Sequence, residues 1–489
     1  MEDVLINNLS QIKEDLIFIL PEIVLSLSII FIILLDLILK RWYAGLNKAL
    51  LLIALLTAGF VIINSGFTSL KNPVYIFSHF IVISSSVYRL KLLLILLSAL
   101  VIPFIPNLDK QKASIFISLF IAILLGTFFM ISAGSLLTIY LGIEVVSLCS
   151  YMLIAFNTDT KSFEASIKYL LFGAVASGVM LFGFSWMYGV TGSIYLTPEF
   201  FTSLGNGPSL FVITSIVFVL IGFLFKIGAF PLHIWIPDTY EGADSSVAAF
   251  LSIVPKTAGL LLIFNFLSGL NNTGFISIIR ELLFISAIIT MLLGTFAAIR
   301  QSIFQRLLAY SSIVHSGFLL AIVCAPSTNA MSSVLFYMVA YAFANCCVFF
   351  INSRMISQYG YGLIEQYSQP FSNKAIYGIA VLIAVVSLVG IPPTLGFTAK
   401  LLLFSSLWES YVSTSNSLVL ASFSVGLLTA IVGLFYYLKV PYQIFIKSGN
   451  HSMKLSISYA EAAILLIYTI PLIVIFFQPE WLLKLIADI

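Results

Sequence analysis

Three lysines and one glutamate stand where a membrane makes charge expensive. Lys226, Lys256 and Lys400 each fall inside an apolar run long enough to cross a bilayer, and Glu144 sits mid-run in Leu141-Gly142-Ile143-Glu144. A lysine at the bilayer centre costs about 2.5–3.5 kcal/mol on insertion scales. One such lysine can snorkel its ammonium to an interface or sit in a fixed ion pair; three, each beside a proline, argue against that. Lys226 lies five residues before Pro231, Lys256 directly follows Pro255, and Lys400 follows Pro392-Pro393. Proline removes a backbone donor and frees carbonyls of the preceding turn. Freed backbone is tolerated in a membrane only where it lines protein or a wet cavity, and broken helices of this kind mark ion pathways. A lone buried carboxyl takes up a proton and a lone buried lysine loses one, whereas together each holds the other's charged form. A carboxylate–lysine pair of variable distance is therefore a switch of proton affinity, at about 1.36 kcal/mol per pKa unit.

The elements that must position these groups follow from composition. Of 489 residues, 61% are hydrophobic and 9% charged, against about 25% charged in soluble domains. At roughly 20 apolar residues per crossing, the chain reads as an all-α polytopic membrane protein of fourteen spans. They lie at 17–39, 48–65, 90–106, 113–133, 135–156, 164–188, 209–230, 245–269, 277–299, 305–324, 331–353, 375–406, 415–438 and 457–477. The first lacks a small-residue cleavage site and reads as a retained helix. The β-rich stretch within 66–89 reads as an extramembrane hairpin. With the N-terminus outside, fourteen loop cations fall on the cytoplasmic side, Lys40, Arg41, Lys161, Arg306 and Lys454 among them. Six fall outside: Lys13, Lys71, Arg89, Lys91, Arg280 and Lys484. The positive-inside rule then selects both termini outside. A net charge of +3 gives no reason to expect nucleic acid. Cys149, Cys324, Cys346 and Cys347 form no C-x-x-C pair, so no metal or iron–sulfur site is expected. The run Gly205-Asn206-Gly207-Pro208 lacks the third glycine and the preceding strand of a dinucleotide fingerprint.

Spacing suggests a duplication. Lys226 is on the seventh span and Lys400 on the twelfth; five spans is an odd step, so the two units cross the membrane in opposite senses. The expected units are 1–110, three helices with the hairpin; 111–270, a first repeat of spans four to eight; 271–445, its inverted copy; and 446–489, a final helix. Nearly the same step along the chain, taken from Glu144 on the fifth span, reaches His315 on the tenth, the expected counterpart in the second unit. An ordinary pKa of about 6.5 suits a histidine to proton relay; a hydrogen-bonded core histidine is the alternative. Lys256 has no twin, since the step that joins Lys226 to Lys400 leads from it to Ala430, and it is expected to bridge the units.

Around these residues a family resemblance is plain. The stretch Phe225-Lys226-Ile227-Gly228-Ala229-Phe230-Pro231-Leu232-His233-Ile234-Trp235-Ile236-Pro237-Asp238-Thr239-Tyr240-Glu241-Gly242-Ala243 resembles the signature of the proton-translocating, antiporter-like membrane subunits of respiratory complex I, NADH:quinone oxidoreductase. Glu164-Ala165 with Lys168-Tyr169, Arg306-Leu307-Leu308-Ala309-Tyr310-Ser311-Ser312 and Gly390-Ile391-Pro392-Pro393 with Gly396-Phe397 and Lys400 match as well. The resemblance covers roughly residues 110–445 and points to the N, or subunit 2, type. Pro-Asp-x-Tyr-Glu-Gly-Ala is N-like, Lys400 stands where M-type chains carry glutamate, and the long lateral helix of L-type chains is not expected. Asp244-Ser245-Ser246 departs from the Pro-Thr-Pro usual in relatives; Asp244 can still cap the eighth span.

The resemblance implies that Glu144, Lys226, Lys256 and Lys400 transfer protons along a hydrated axis; spacing adds His315 to that set, and His233 and Tyr240, in the loop before the eighth span, are expected to be structural. It implies no cofactor in this chain, and FMN, iron–sulfur clusters and quinone on other subunits. Expected partners are M-type and small K-, J- and A-type neighbours and the lateral helix of an L-type subunit, in a bacterial inner membrane. Two other readings stand: a subunit of a multisubunit cation/proton antiporter, and a purely structural assembly subunit. The topology is testable with single cysteines at Ser203 and Ser448 and an impermeant thiol reagent on intact cells. Labelling at Ser203 alone is expected; labelling at Ser448 alone reverses the orientation.

Overall fold

The computed structural model describes residues 12–38, 45–66, 68, 70, 72–106, 108, 110–360, 362–368, 374–447 and 458–487. Lys40, Arg41, Lys71 and Lys454 lie outside these. Inside a bilayer a chain must close its own backbone hydrogen bonds, and this one does so in helices. In order they are α1 Leu20–Ile38, α2 Leu46–Asn64, α3 Ser85–Ala99, α4 Lys110–Ile131, α5 Leu136–Ile154, α6 Thr160–Thr191, α7 Pro198–Gly205, α8 Ser209–Ile227, α9 Trp235–Gly242 and α10 Ser245–Leu270. There follow α11 Ile276–Ile299, α12 Phe304–Cys324, α13 Ala330–Tyr359, α14 Lys374–Val389, α15 Leu395–Thr414, α16 Ser417–Tyr437, α17 Lys439–Phe445, α18 Tyr459–Phe477 and α19 Pro479–Ala487.

Thirteen helical stretches among the described residues are long and apolar enough to cross a membrane, and they match thirteen of the fourteen expected spans. The twelfth, expected as one helix over 375–406, is two helices, α14 and α15. Gly390 takes φ +84 after α14 and Pro392-Pro393 offers no backbone donor, so the helix stops and restarts. The seventh span likewise ends early, at Ile227, where Gly228 caps α8 with φ 70. Pro255, by contrast, lies inside a continuous α10, so the expected break beside Lys256 is absent. α10, α12 and α13 are buried almost all round and form the centre of the bundle.

The two expected repeats share a packing device. On α5, a Cβ at Gly142 would lie 3.0 Å from the backbone nitrogen of Met130 and 3.1 Å from the Gly126 carbonyl, both on α4. On α12, a Cβ at Gly317 would lie 3.0 Å from the Met291 nitrogen and 3.0 Å from the Ala287 carbonyl, both on α11. Two helices can approach this closely only where a side chain is missing. Aligning Gly142 with Gly317 places Leu319 opposite Glu144, and His315 one turn earlier. His315 is therefore not the positional twin of Glu144.

The hairpin expected within 66–89 is β1 Val74–Ile76 and β2 Ile81–Ile83, antiparallel with Val74 opposite Ile83. It docks on the α4–α5 turn, where Val82 N donates to Ser132 O (2.8 Å) and Gly134 N to Phe80 O (2.9 Å). Ser84 then caps α3, accepting from Val87 N, so α3 starts five residues before the expected position and takes Lys91 with it. The loop count places Lys91 among the outer cations. Instead it is fully buried, 2.6 Å from Glu22 Oε1 on α1, and its ammonium lies over the rings of Tyr88 and Phe128. Removing one member of a buried pair strands the other charge, at a cost of about 3–5 kcal/mol, whereas apolar replacement of both is often neutral. Lys91→Met is accordingly expected to lower thermal stability strongly, and Glu22→Leu/Lys91→Met to recover most of it. Thermal melting in detergent checks this; a double variant as unstable as the single would rule out the ion pair as the cause.

Candidate functional site

Each broken helix leaves a carbonyl whose helical donor would be a proline nitrogen, and the Pro392-Pro393 break leaves Leu388 O as a further one. In the first break that carbonyl is Ile227 O, four residues before Pro231, and Ser316 of α12 donates to it at 2.6 Å. In the second it is Val389 O, four residues before Pro393, and the Lys400 ammonium donates to it at 2.6 Å. The remaining groups of the first break are also met by neighbours. Trp235 Nε1 donates to Phe225 O, Phe230 N to Thr290 Oγ1, and Ser286 Oγ to Phe230 O. Buried backbone groups left unpaired cost about 1–3 kcal/mol each, so α11 and α12 are bound to this break by its own chemistry.

The lysines approach the breaks from opposite sides. Lys226 lies in the last turn of α8, before its break, and Lys400 in the second turn of α15, after its break. The five-span spacing thus brings each lysine to a break, but on opposite sides of it. Lys226 Nζ donates to Ser147 Oγ at 3.0 Å. Glu144, one turn before Ser147 on α5, accepts instead from Ser177 Oγ of α6. No ion pair joins Glu144 to Lys226 among the described residues. Glu144 is half-buried, flanked along α5 by the exposed Leu141 and Leu148.

At the centre, Lys256 of α10 donates to Ser312 O at 2.8 Å and to Ser312 Oγ at 2.5 Å. Ser316, one turn on, bonds both Ser312 O and Ile227 O. The Ser312 carbonyl, which accepts from both Lys256 and Ser316, thus ties Lys256 to the carbonyl next to Lys226. On the other side His315 is held between two phenols, Tyr337 OH at Nδ1 (2.6 Å) and Tyr437 OH at Nε2 (2.9 Å). Between His315 and Lys400 lies Phe318, whose ring faces the Lys400 ammonium at 5.3 Å. Both residues line one cavity of about 10 Å³, room for about one water. Hydroxyls and water can relay protons by short hops: Lys226 and Lys256 each bond a serine hydroxyl, and Lys400 shares the one-water cavity with His315.

A charged network closes the site at the end of α9. Arg306 bonds Asp238 (2.9 Å) and Glu241 (2.8 Å), and Lys168 bonds Asp238 (2.9 Å) and Glu164 (2.7 Å). These are the residues of the family-like motifs, and they join both expected repeats. Tyr240, expected to be structural, is buried on α9 with its hydroxyl 3.3 Å from Ser312 Oγ, so it reaches the partner of Lys256. His233 lies in the first break, its Nδ1 without a hydrogen-bond partner among the described residues. Sequence reasoning missed Ser147, Ser177, Ser312 and Ser316. Ser147, three residues after Glu144, and Ser312, three before His315, had the signal of a hydroxyl one turn from a titratable group; Ser177 and Ser316 had none.

The arrangement belongs to a known class of proton-handling membrane subunits. The profile of the family described as NADH:quinone oxidoreductase/Mrp antiporter, TM, matches residues 133–429, and the chain belongs to that family. Among its relatives, NADH-quinone oxidoreductase subunit N 2 of Symbiobacterium thermophilum is 34% identical over 436 residues, covering 85% of this chain and 82% of the relative. NADH-quinone oxidoreductase subunit N of Pelagibacter ubique is 34% identical over 476 residues, with 94% and 97% coverage. The fold matches a chain of respiratory complex I from Thermus thermophilus, with TM-score 0.78 and 23% identity over 96% of this chain and 100% of that one. It also matches a chain of the Mrp complex from Dietzia sp., with TM-score 0.80 and 17% identity over 96% of each.

Lys256 of the first expected repeat bonds Ser312 of the second, the contact a bridge between the halves would need, whereas water could replace part of any relay at His315. Lys256→Ala is therefore expected to slow proton uptake by reconstituted vesicles more than His315→Ala does. The reverse order would remove Lys256 as the bridge.

Proposed function

We propose that this chain is the N-type membrane subunit of an NADH:quinone oxidoreductase, and that it moves protons across the membrane while other subunits carry the electrons. The observation that carries the reading is the line of buried titratable groups. Lys226 and Lys256 meet through Ser316 and the Ser312 carbonyl, and His315, held by Tyr337 and Tyr437, shares a small cavity with Lys400. The relatives' names support the assignment to N over the antiporter alternative, whose structural likeness is one of fold alone.

In this reading Glu144 loads or unloads Lys226. With the carboxylate ionised and near, Lys226 holds its proton; as the pair separates, burial favours the neutral amine and the proton moves toward Lys256. Ser147 and Ser177 hold the pair in the separated arrangement. The apolar face around Glu144 is covered by a neighbouring membrane-arm subunit, with M-type, K-, J- and A-type chains and an L-type lateral helix as the partners. FMN, iron–sulfur clusters and quinone reside on those other subunits. The setting is a bacterial inner membrane with both termini outside.

Glu144→Gln tests the switch. If Glu144 were a static counter-charge, the variant would strand Lys226 and fail to assemble. As a switch, it is expected to assemble normally, seen on native gels, yet to lose most NADH-driven quinone reduction, with Glu144→Asp keeping part. Full assembly with full turnover would overturn the switch.

A further inference from the structure

The departure at Asp244-Ser245-Ser246 has a structural setting. Asp244 caps α10, accepting at Oδ1 from Ser246 N (2.8 Å) and Ser246 Oγ (2.6 Å), which leaves Oδ2 free of the cap. It lies on the wall of a 460 Å³ cavity at the end of the bundle that carries the Arg306 network. The ionisable groups facing that cavity are Lys48 from α2, Asp159 and Lys161 from the start of α6, Glu241 from α9 and Arg354 from α13. Three of them are in ion pairs, Glu241 with Arg306 and, at 4.0 Å, with Lys161, and Arg354 with Glu461 of α18.

Behind Asp244, polar side chains cross between two antiparallel helices in a fixed register. Ser245 of α10 accepts from Asn352 Nδ2 of α13 at 3.2 Å, and Asn352 also reaches Gln305 at 3.3 Å. Seven residues further along α10, Ser252 accepts from Asn345, seven residues back along α13, at 2.6 Å. Four more on α10 and four fewer on α13 bring Lys256 over the Tyr341 ring at 5.9 Å. Seven and four residues are close to whole helical turns, so all three rungs lie on one seam. All six side chains are at most 5% exposed. The Tyr341 hydroxyl faces Ser252 of the second rung and Ser312, the partner of Lys256. About 10 Å of helix separates the first rung from the second, and on α10 that interval holds the small residues Ala248 and Ala249.

We propose that Asp244 is a proton-collecting carboxyl at the mouth of this seam, passing protons from the charged cavity to Lys256. The proposal rests on the proton-translocating function given above and adds to it an entry point peculiar to this sequence. A hydronium from the cavity gives its proton to Oδ2 and leaves as water, and the neutral acid then gives the proton to water between the Ser245–Asn352 and Ser252–Asn345 rungs. From there it reaches the neutral amine of Lys256, which becomes the ammonium, and Asp244 is left a carboxylate. Burial raises the Asp244 carboxyl above its ordinary range, against the two Ser246 donors. A carboxyl so raised holds a proton nearer to neutral pH, where a relay acid works best.

The test is Asp244→Asn in the assembled complex, in which the amide oxygen keeps the cap and only the titrating proton is lost. Proton uptake in membrane vesicles is expected near wild type at pH of about 6 and reduced roughly tenfold at pH of about 8, where protons are scarce. Asp244→Glu restores the alkaline rate. A wild-type pH profile in Asp244→Asn, or a loss equal at all pH values, overturns the proposal and leaves Asp244 a helix cap. If Asp244→Asn fails to assemble, Asn352→Leu, which removes the first rung and leaves the cap, is read by the same criterion. Lys256→Ala in the same vesicles separates the two claims. Normal uptake there refutes proton translocation through this chain, whereas loss there beside a wild-type profile in Asp244→Asn refutes only the entry carboxyl.

Discussion

Inside a hydrocarbon layer a carbonyl that has lost its helical donor must find another within the protein. Pro231 and Pro393 each create one such carbonyl, and most of the architecture around the site answers that demand. Ile227 O is taken by a serine of α12 and Val389 O by the ammonium of Lys400. In the second case the costs of two misfits cancel. An ammonium that has left water needs acceptors, and an orphaned carbonyl needs a donor.

The same demand explains why α12 is central. Along this helix Arg306 binds the carboxylates of α9, Ser312 takes Lys256, His315 sits between two phenols, and Ser316 closes the first break. A change of protonation at any one of these is felt by its neighbours through direct hydrogen bonds, in surroundings that screen charge poorly. Lys91 and Glu22 show the other use of buried charge. Their pair ties α1 to α3, and it is separate from the line of lysines.

Several features are legible in the chain alone. The three lysines in apolar runs, the glutamate in the fifth span, and the proline breaks beside Lys226 and Lys400 are all visible there, and thirteen of the expected spans lie close to where helices form. These readings succeed because the penalties behind them are local: a run of apolar residues, a missing N–H, a charge out of water. Readings that need a third dimension fare worse. Lys91 looks like a loop cation because the start of α3 is set by the hairpin's docking on the α4–α5 turn, well downstream in sequence. His315 looks like the twin of Glu144 because spacing ignores that helices align by their contact points, here Gly142 and Gly317.

Composition and pattern by themselves determined that this protein is a bundle of membrane helices, that at least two of those helices break, and which residues carry costly charge. Their causes act within a turn or two of the chain. Only the tertiary structure decided what each charge meets. Ser147 and not Glu144 receives Lys226, Ser312 receives Lys256, and Val389 O receives Lys400. These partners come from helices 11 to 79 residues distant in sequence. Hydroxyls and carbonyls are too common along an apolar helix for spacing to single out the one that packing brings within reach.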